Sequence, residues 1–208
     1  ERFYEIIVVD NASTDRTTEI ASAFPRVRVV HEPKKGTGPA RDAGFRATSG
    51  DLVAYMDSDC RLRSAWIDGI EKAFQNPNLV LLSGPYRFYD ITELTNQVIH
   101  FFFWRWFPLG CAIAGCTAIG GNMIMRRDAL VKINGFDTSI EFYGEDTDIA
   151  ARISRYGRVD FDTSFYMPSS ARRYRKDGVL RTVFLYTING FWWLLFRRPF
   201  SNTHADVR

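Results

Sequence analysis

Apolar positions in the first half of the chain come in short, dense runs separated by polar, glycine-bearing stretches. Tyr4 to Asp10, YEIIVVD, is a nearly continuous β-branched run of the kind a strand covered on both faces requires. NASTDRTTEIASAF, which follows, predicts a helix capped by Ser13, Thr14 or Asp15, with Ile20, Ala21 and Phe24 on one face. Val27 to Glu32 reads as a second short strand. PKKGTGPARDAGFRATSG then supplies a glycine-rich loop and a helix closed by Gly50. Leu52 to Met56 is a third strand, SAWIDGIEKAFQNP a helix with Trp66, Ile70 and Phe74 at helical spacing, and Leu79 to Tyr86 a fourth strand. Strands alternating with helices imply right-handed crossovers and an α/β domain whose mostly parallel sheet is flanked by helices. Ligands of such sheets bind beyond the carboxyl ends of the strands, which sets Asp10, Asp57 and Asp59 along one crevice.

Composition narrows the class without naming a chemistry. The 208 residues are 46% hydrophobic and 25% charged, ordinary globular values, and long enough for one domain with a sizeable core. A net charge of +3 is too weak an excess to imply nucleic acid, and none is expected as a partner. Cys60, Cys111 and Cys116 stand at no metal-ligand spacing and read as reduced thiols of a cytoplasmic protein. His31, His100 and His204 have no neighbour at ligand spacing and receive no role. The chain opens without a methionine and runs almost directly into a strand, so its natural N-terminus is expected to lie upstream.

Chemistry enters at LVAYMDSD. Asp57 and Asp59 follow a buried strand with one residue between them; along an extended chain they would share a side and call for a positive group between them. Paired carboxylates at a strand end suit Mg²⁺ or Mn²⁺, which keep several waters and bridge to substrate phosphates. Gly36 and Gly38 let a backbone approach such a ligand, and Lys34, Lys35 and Arg41 add positive charge. A turn carrying helix-capping acids accounts for the same Asp-Ser-Asp. GEDTD likewise has two readings, an acidic first turn favoured by the helix dipole or a catalytic pair. Asp148 and Arg152, at i and i+4, predict a salt bridge.

Four blocks, EIIVVDNASTDRT, GTGPARDAGFRATSGDLVAYMDSD, GGNMIMRRDALVKINGFD and YGEDTDIAARISRYG, resemble in order and spacing the family 2 glycosyltransferases, inverting enzymes with the GT-A fold, a Rossmann-like sheet. The resemblance covers about residues 4 to 160 and implies a nucleoside-diphosphate sugar donor, a Mn²⁺ or Mg²⁺ ion and an acceptor hydroxyl. On this likeness Asp57 and Asp59 are the family's DXD metal motif, Asp59 the direct ligand and Asp57 turned toward the sugar or ribose. Asp10 ends the nucleotide-binding strand, and Asn11 stands where a second, base-reading aspartate is common. Arg41 supports the nucleotide, followed by Asp42 in place of the family's asparagine. Asp146 is the implied general base and Glu145 orients acceptor or base. Gly121 and Asn122, after Gly120, approach the donor sugar. The family's opening strand, which helps clasp the nucleoside, would precede Glu1. No QxxRW signature of processive synthases is present, so transfer of a single sugar is implied.

The resemblance assigns residues 1–165 to a catalytic domain and leaves 166–208 as a basic, aromatic, helical C-terminal segment. There RRYRKDGVLR precedes the apolar TVFLYTINGFWWLLF, which Arg197 and Arg198 close. That run falls short of the roughly 20 residues needed to span a bilayer. Trp192 and Trp193, between arginines, suit its interface. Peripheral docking on the cytoplasmic face of a membrane, with a glycan or lipid-linked acceptor, follows; packing against the catalytic domain is the plainer alternative. FFFWRWFPLGCAIAGCTAI, interrupted by Arg105 and Pro108, reads as core or as a lipid-touching surface. Two other functions fit the sequence: an inactive GT-A-like interaction module, and a sugar nucleotidyltransferase using related metal–phosphate chemistry.

Overall fold

The computed structural model describes residues 2–101, 118–140, 142, 144–178 and scattered positions between 181 and 196. Strands β1 (Ile6–Asp10) and β2 (Val27–His31) pair in parallel, joined through helix α1 (Thr17–Ser22). Helix α2 (Thr37–Ala47) leads into β3 (Leu52–Met56), and α3 (Ser64–Ala73) into β4 (Leu79–Ser83). Then come β5 (Tyr86–Phe88) and α4 (Glu93–Ile99). Beyond residue 118 lie β6 (Asn122–Arg126), α5 (Arg127–Lys132) and α6 (Glu145–Ile153), the last running into a 3₁₀ turn (Ser154–Tyr156). Strands β7 (Arg158–Phe161) and β8 (Met167–Ser169) and helix α7 (Arg172–Asp177) follow.

The main sheet has the order β3-β6-β4-β7, beside two-stranded pairs β1-β2 and β5-β8. Three of the five pairings are parallel, as the alternation of strands and helices predicts; β6 runs antiparallel to both its neighbours. Its direction matters for the site, because Asn122 at the start of β6 lies opposite Met56 at the end of β3.

Side-chain alternation divides the core into two layers. Met123 and Met125 of β6, with Leu81 of β4, pack among Ile149, Ala150 and Ile153 of α6. Ile124 and Leu82 point the other way, to Trp66 and Ile70 of α3, and to Phe165 and Met167. Helices cover both faces, so β4 is buried at every position and reads LVLLS without alternation. Trp66 stacks on Phe165 with ring centroids 5.7 Å apart.

Several expectations change on contact with the structure. The run from Leu79 to Tyr86 is not one strand: it breaks at Gly84, where an added Cβ would overlap the Phe165 carbonyl, so the chain turns a corner between β4 and β5. Helix α2 ends at Ala47 and is capped by Thr48, before Gly50. Helix α1 is only six residues long and ends before Phe24, and Ile20 and Phe24 stay 57% and 60% exposed beside the two-stranded β1-β2 pair. The boundary expected after residue 165 falls inside the folded body. Strand β8 pairs with β5, and Ala171 is fully buried against Phe88 and Ile99. Asp90 accepts hydrogen bonds from the Ala171 amide and the Ser170 hydroxyl, both at 2.6 Å, and pairs with Arg175 at 2.8 Å, fixing the first turn of α7.

Among the described residues no helix is long and apolar enough to cross a membrane. Cys60 is a free thiol. Cys111, Cys116, Arg105, Pro108, Trp193, Arg197, Arg198 and His204 lie outside the described residues.

Candidate functional site

Strand β3 delivers Asp57 and Asp59 into a turn closed by the Cys60 amide donating to the Asp57 carbonyl at 3.0 Å. An extended pair would share one cation; the turn splits the carboxylates, and each meets its own arginine. Asp57 accepts from Arg41 at 3.2 Å and from the Tyr86 hydroxyl at 2.8 Å. Asp59 pairs with Arg172 Nε at 3.0 Å and accepts from Ser169 Oγ at 3.4 Å. Burial raises the Asp59 carboxyl against the pull of Arg172. Burial, reinforced by Asp57, also holds the Tyr86 phenol far above its usual range and pushes the Cys60 thiol up to about 12.

Arg41, 12% exposed, joins the two acidic clusters. Its guanidinium donates to Glu145 at 2.5 Å and to Asp57 at 3.2 Å. Burial works against its charge, but Glu145, then Asp57 and Asp146, raise its pKa further. Two glycines make this arrangement fit. A Cβ on Gly120 would strike the Arg41 guanidinium, and one on Gly121 would strike the Asp57 carboxyl and the Tyr86 hydroxyl. The Ser83 hydroxyl holds the same loop, accepting from the Ile119 amide at 2.8 Å and donating to the Asn122 carbonyl at 2.7 Å.

Helix α6 brings the second cluster. Gly144 precedes it with φ 96°, a left-handed conformation that glycine adopts freely. Glu145 is 8% exposed and paired with Arg41. Asp146 accepts from the Gly120 amide at 3.3 Å and from the Thr147 amide at 2.8 Å. Burial, and then the neighbouring Glu145 charge, push the Asp146 carboxyl up to about 7, outweighing Arg41 and the two amides.

At the end of β1, Asp10 accepts from the Ser13 amide at 3.1 Å and meets His31 Nδ1 at 3.1 Å. Hydrogen bonding from Ser13, with His31 helping, lowers it to about 2 despite burial. Asn11 donates to the carbonyls of Glu32 (3.0 Å) and Lys34 (2.6 Å) and accepts from the Gly36 amide (2.8 Å). An aspartate there could not donate to two carbonyls, which gives the asparagine a structural reason.

Asn122, expected near the donor sugar, is turned elsewhere, and Asp42, given no role, is structural. Asn122 is fully buried: its amide donates to the carbonyls of Gly84 (3.0 Å) and Phe165 (2.8 Å), and its oxygen accepts from Trp66 Nε1 at 2.8 Å. It locks the β4–β5 corner. Asp42 accepts from the Phe136 amide at 3.0 Å and pairs with Arg46 at 2.7 Å. Asp148 and Arg152 make the expected salt bridge, at 2.7 Å. Sequence reasoning missed Tyr86, Ser169, His31 and Arg172. Only the basic RRYR run offered a signal, and it read as a membrane-facing cluster.

Four carboxylates (Asp57, Asp59, Glu145, Asp146) against Arg41 and Arg172 leave this region net negative, and Asp59 already turns an oxygen to a cation. Among the described residues no cluster of three or more His, Cys, Asp or Glu side chains is placed to hold a metal ion. Such a donor set fits a hard ion that takes one or two carboxylates and completes its shell with water and phosphate oxygens, as Mg²⁺ does.

A family model described as Glycosyl transferase family 2 matches residues 1–133, and one described as N-terminal domain of galactosyltransferase matches residues 107–172. The Pre-mycofactocin glycosyltransferase of Mycobacterium tuberculosis is 25% identical over 195 residues, 88% of this chain and 41% of that protein. Glycosyltransferase GlyG of Streptococcus pneumoniae is 34% identical over 94 residues, 43% of this chain and 31% of that protein. The chain thus spans less than half the length of these relatives. Among solved structures, the mannosyltransferase PcManGT from Pyrobaculum calidifontis, in complex with GDP-Man and Mn²⁺, has a TM-score of 0.63 at 20% identity, over 85% of this chain and 53% of that one. The glucosyl-3-phosphoglycerate synthase from Mycobacterium tuberculosis, in complex with Mn²⁺, UDP-glucose and phosphoglyceric acid, has a TM-score of 0.61 at 21% identity, over 93% and 68% of the two chains. At these identities the likeness shows a shared fold.

Proposed function

The chain belongs to glycosyl transferase family 2, and we propose that it moves a single sugar, with inversion, from a nucleoside-diphosphate donor to an acceptor hydroxyl. The observation that carries this reading is the Arg41 bridge. One guanidinium ties the carboxylate at the end of β3 to the first turn of α6, so a donor edge and a base-bearing edge belong to one site. Asp59 and Asp57 would hold Mn²⁺ or Mg²⁺, which when bound neutralises charge on the leaving diphosphate.

Asp146 takes the proton of the acceptor hydroxyl as that oxygen attacks C1 of the sugar. The bond from C1 to the diphosphate oxygen breaks, its electron pair leaves with the diphosphate, and the configuration at C1 inverts. A base poised near 7 combines a useful ionised fraction with driving force for proton transfer. Glu145, its charge met by Arg41, holds the geometry instead of reacting. Asp10, kept ionised, and Asn11, which orders the loop from Glu32 to Gly36, form the nucleoside end. The acceptor in this reading is a glycan or a lipid-linked sugar at the cytoplasmic face of a membrane; the arginine-flanked Trp192–Trp193 stretch of the sequence supports it.

Calorimetric titration of UDP, GDP and dTDP, with and without Mn²⁺, into this chain and its Asp59→Asn variant tests the donor site. We expect Mn²⁺-dependent binding of one base, weakened at least about tenfold by the substitution. Binding of none of the three, with metal present, would sink the transferase reading and leave an interaction module.

A further inference from the structure

We propose that Arg172 is a positioning residue that competes with the divalent cation for Asp59 and is handed over to the donor diphosphate, so that metal and nucleotide bind as a linked pair. The inference rests on the donor-site reading above. Arg172 Nε lies 3.0 Å from Asp59 Oδ2, on the carboxylate that would hold the metal ion. Ser169 Oγ donates a long hydrogen bond, 3.4 Å, to the other oxygen.

The arginine is held in place by the fold. Asp90 anchors the first turn of α7 through the Ala171 amide, the Ser170 hydroxyl and Arg175, and the Ser170 hydroxyl accepts in turn from the Arg172 amide at 3.2 Å. Arg175 is therefore committed to Asp90, while Arg172 points at Asp59. The backbone is fixed, yet the Arg172 side chain is 48% exposed and has room to swing. Arg41 contrasts with it: 12% exposed and bound at both ends, it stays where it is.

A guanidinium and a divalent ion repel each other and cannot both hold one carboxylate oxygen unless an anion arrives to separate them. A diphosphate supplies that anion, and its oxygens match the planar fork of an arginine better than a point charge. Asp59 would then hold the metal while the Arg172 guanidinium turns to the diphosphate, and every charge would keep a partner. By linkage, the nucleotide must strengthen metal binding by the same factor that metal strengthens nucleotide binding.

The test measures Mn²⁺ by electron paramagnetic resonance, alone and with saturating UDP or GDP, in the wild type, Arg172→Gln, Arg172→Lys and Arg173→Gln. We expect Arg172→Gln to bind Mn²⁺ alone about tenfold more tightly and to lose most of the strengthening that the nucleotide gives the wild type. Arg172→Lys should change in the same sense by less, and it carries the test if the Gln variant does not fold. Arg173→Gln, which removes a charge from the same helix, should match the wild type. Mn²⁺ affinity that is unchanged or weaker in both Arg172 variants, or raised equally by Arg173→Gln, overturns the inference while the donor site stands. A wild type without nucleotide-linked Mn²⁺ binding overturns the donor site and this inference together.

Discussion

Glu145 and Asp146 are neighbours in sequence with opposite electrostatic fates. Glu145 has its charge met by Arg41 at 2.5 Å, and the same negative charge helps hold the Asp146 carboxyl at about 7. Below that value Asp146 is protonated and unable to act as a base, so kcat/KM should climb as pH rises through about 7 and then level off. Asp146→Asn should abolish that climb and lower kcat/KM by about 10²–10⁴-fold, measured as a pH–rate profile. The same shift has a stability sign. A carboxyl raised in the folded state favours folding at low pH, and that contribution is lost as pH rises from about 4 to 7. Thermal melts should therefore find Asp146→Asn more stable than the wild type at pH 8 and no better at pH 4. The acids themselves were legible in the sequence by type and spacing. Arg41 was legible as a nearby positive charge, but Arg172 was not: it follows Asp59 by more than a hundred residues, and residue types alone could not show that the Asp57–Asp59 turn would send each carboxylate to a different arginine.

At the scale of elements, dense apolar runs located β1, β3 and β4, although only β4 is buried at every position; β3 alternates and β1 leaves Ile6 exposed. Direction was invisible. A strand has the same side-chain period in either sense, so nothing in NMIMR told that β6 would run antiparallel. Asn122 shows how a residue placed correctly in an element can be misread in role. It stands beside the end of β3, as a sugar ligand would, yet its amide is spent on Gly84, Phe165 and Trp66. Asn122→Ala would leave the indole N–H and two carbonyls of the β4–β5 corner without that partner, at a cost of roughly 1–3 kcal/mol for each buried group left unsatisfied. Urea denaturation should show the loss as a lower midpoint. A donor-binding role alone would leave that midpoint near the wild-type value.

For the molecule as a whole, the sequence placed the end of the catalytic body too early. The run RRYRKDG is mostly charged and carries no apolar period, so it read as a surface segment, while its attachment rests on the small side chain of Ala171 and on Tyr174 packed against Phe88. A chain ending at Phe165 lacks β8 and α7 and uncovers Phe88 and Tyr86. We expect it to bind a hydrophobic dye and to lose near-ultraviolet circular dichroism, whereas a chain ending at Gly178 should match the 208-residue chain in both. A 165-residue product with intact aromatic dichroism would restore the earlier boundary.

The antiparallel course of β6 also decides when during synthesis the chain becomes competent. Residues 120–122 reach the end of β3 only when β6 has inserted between β3 and β4, and Arg41 meets Glu145 across a separation of 104 residues. Closing so long a loop costs little more than closing a shorter one, but pairings this distant form late. A nascent chain that has emerged only as far as α4 carries Asp10, Arg41, Asp57 and Asp59 with neither the glycine wall nor Glu145 and Asp146. The two acidic clusters meet only after the later half has docked.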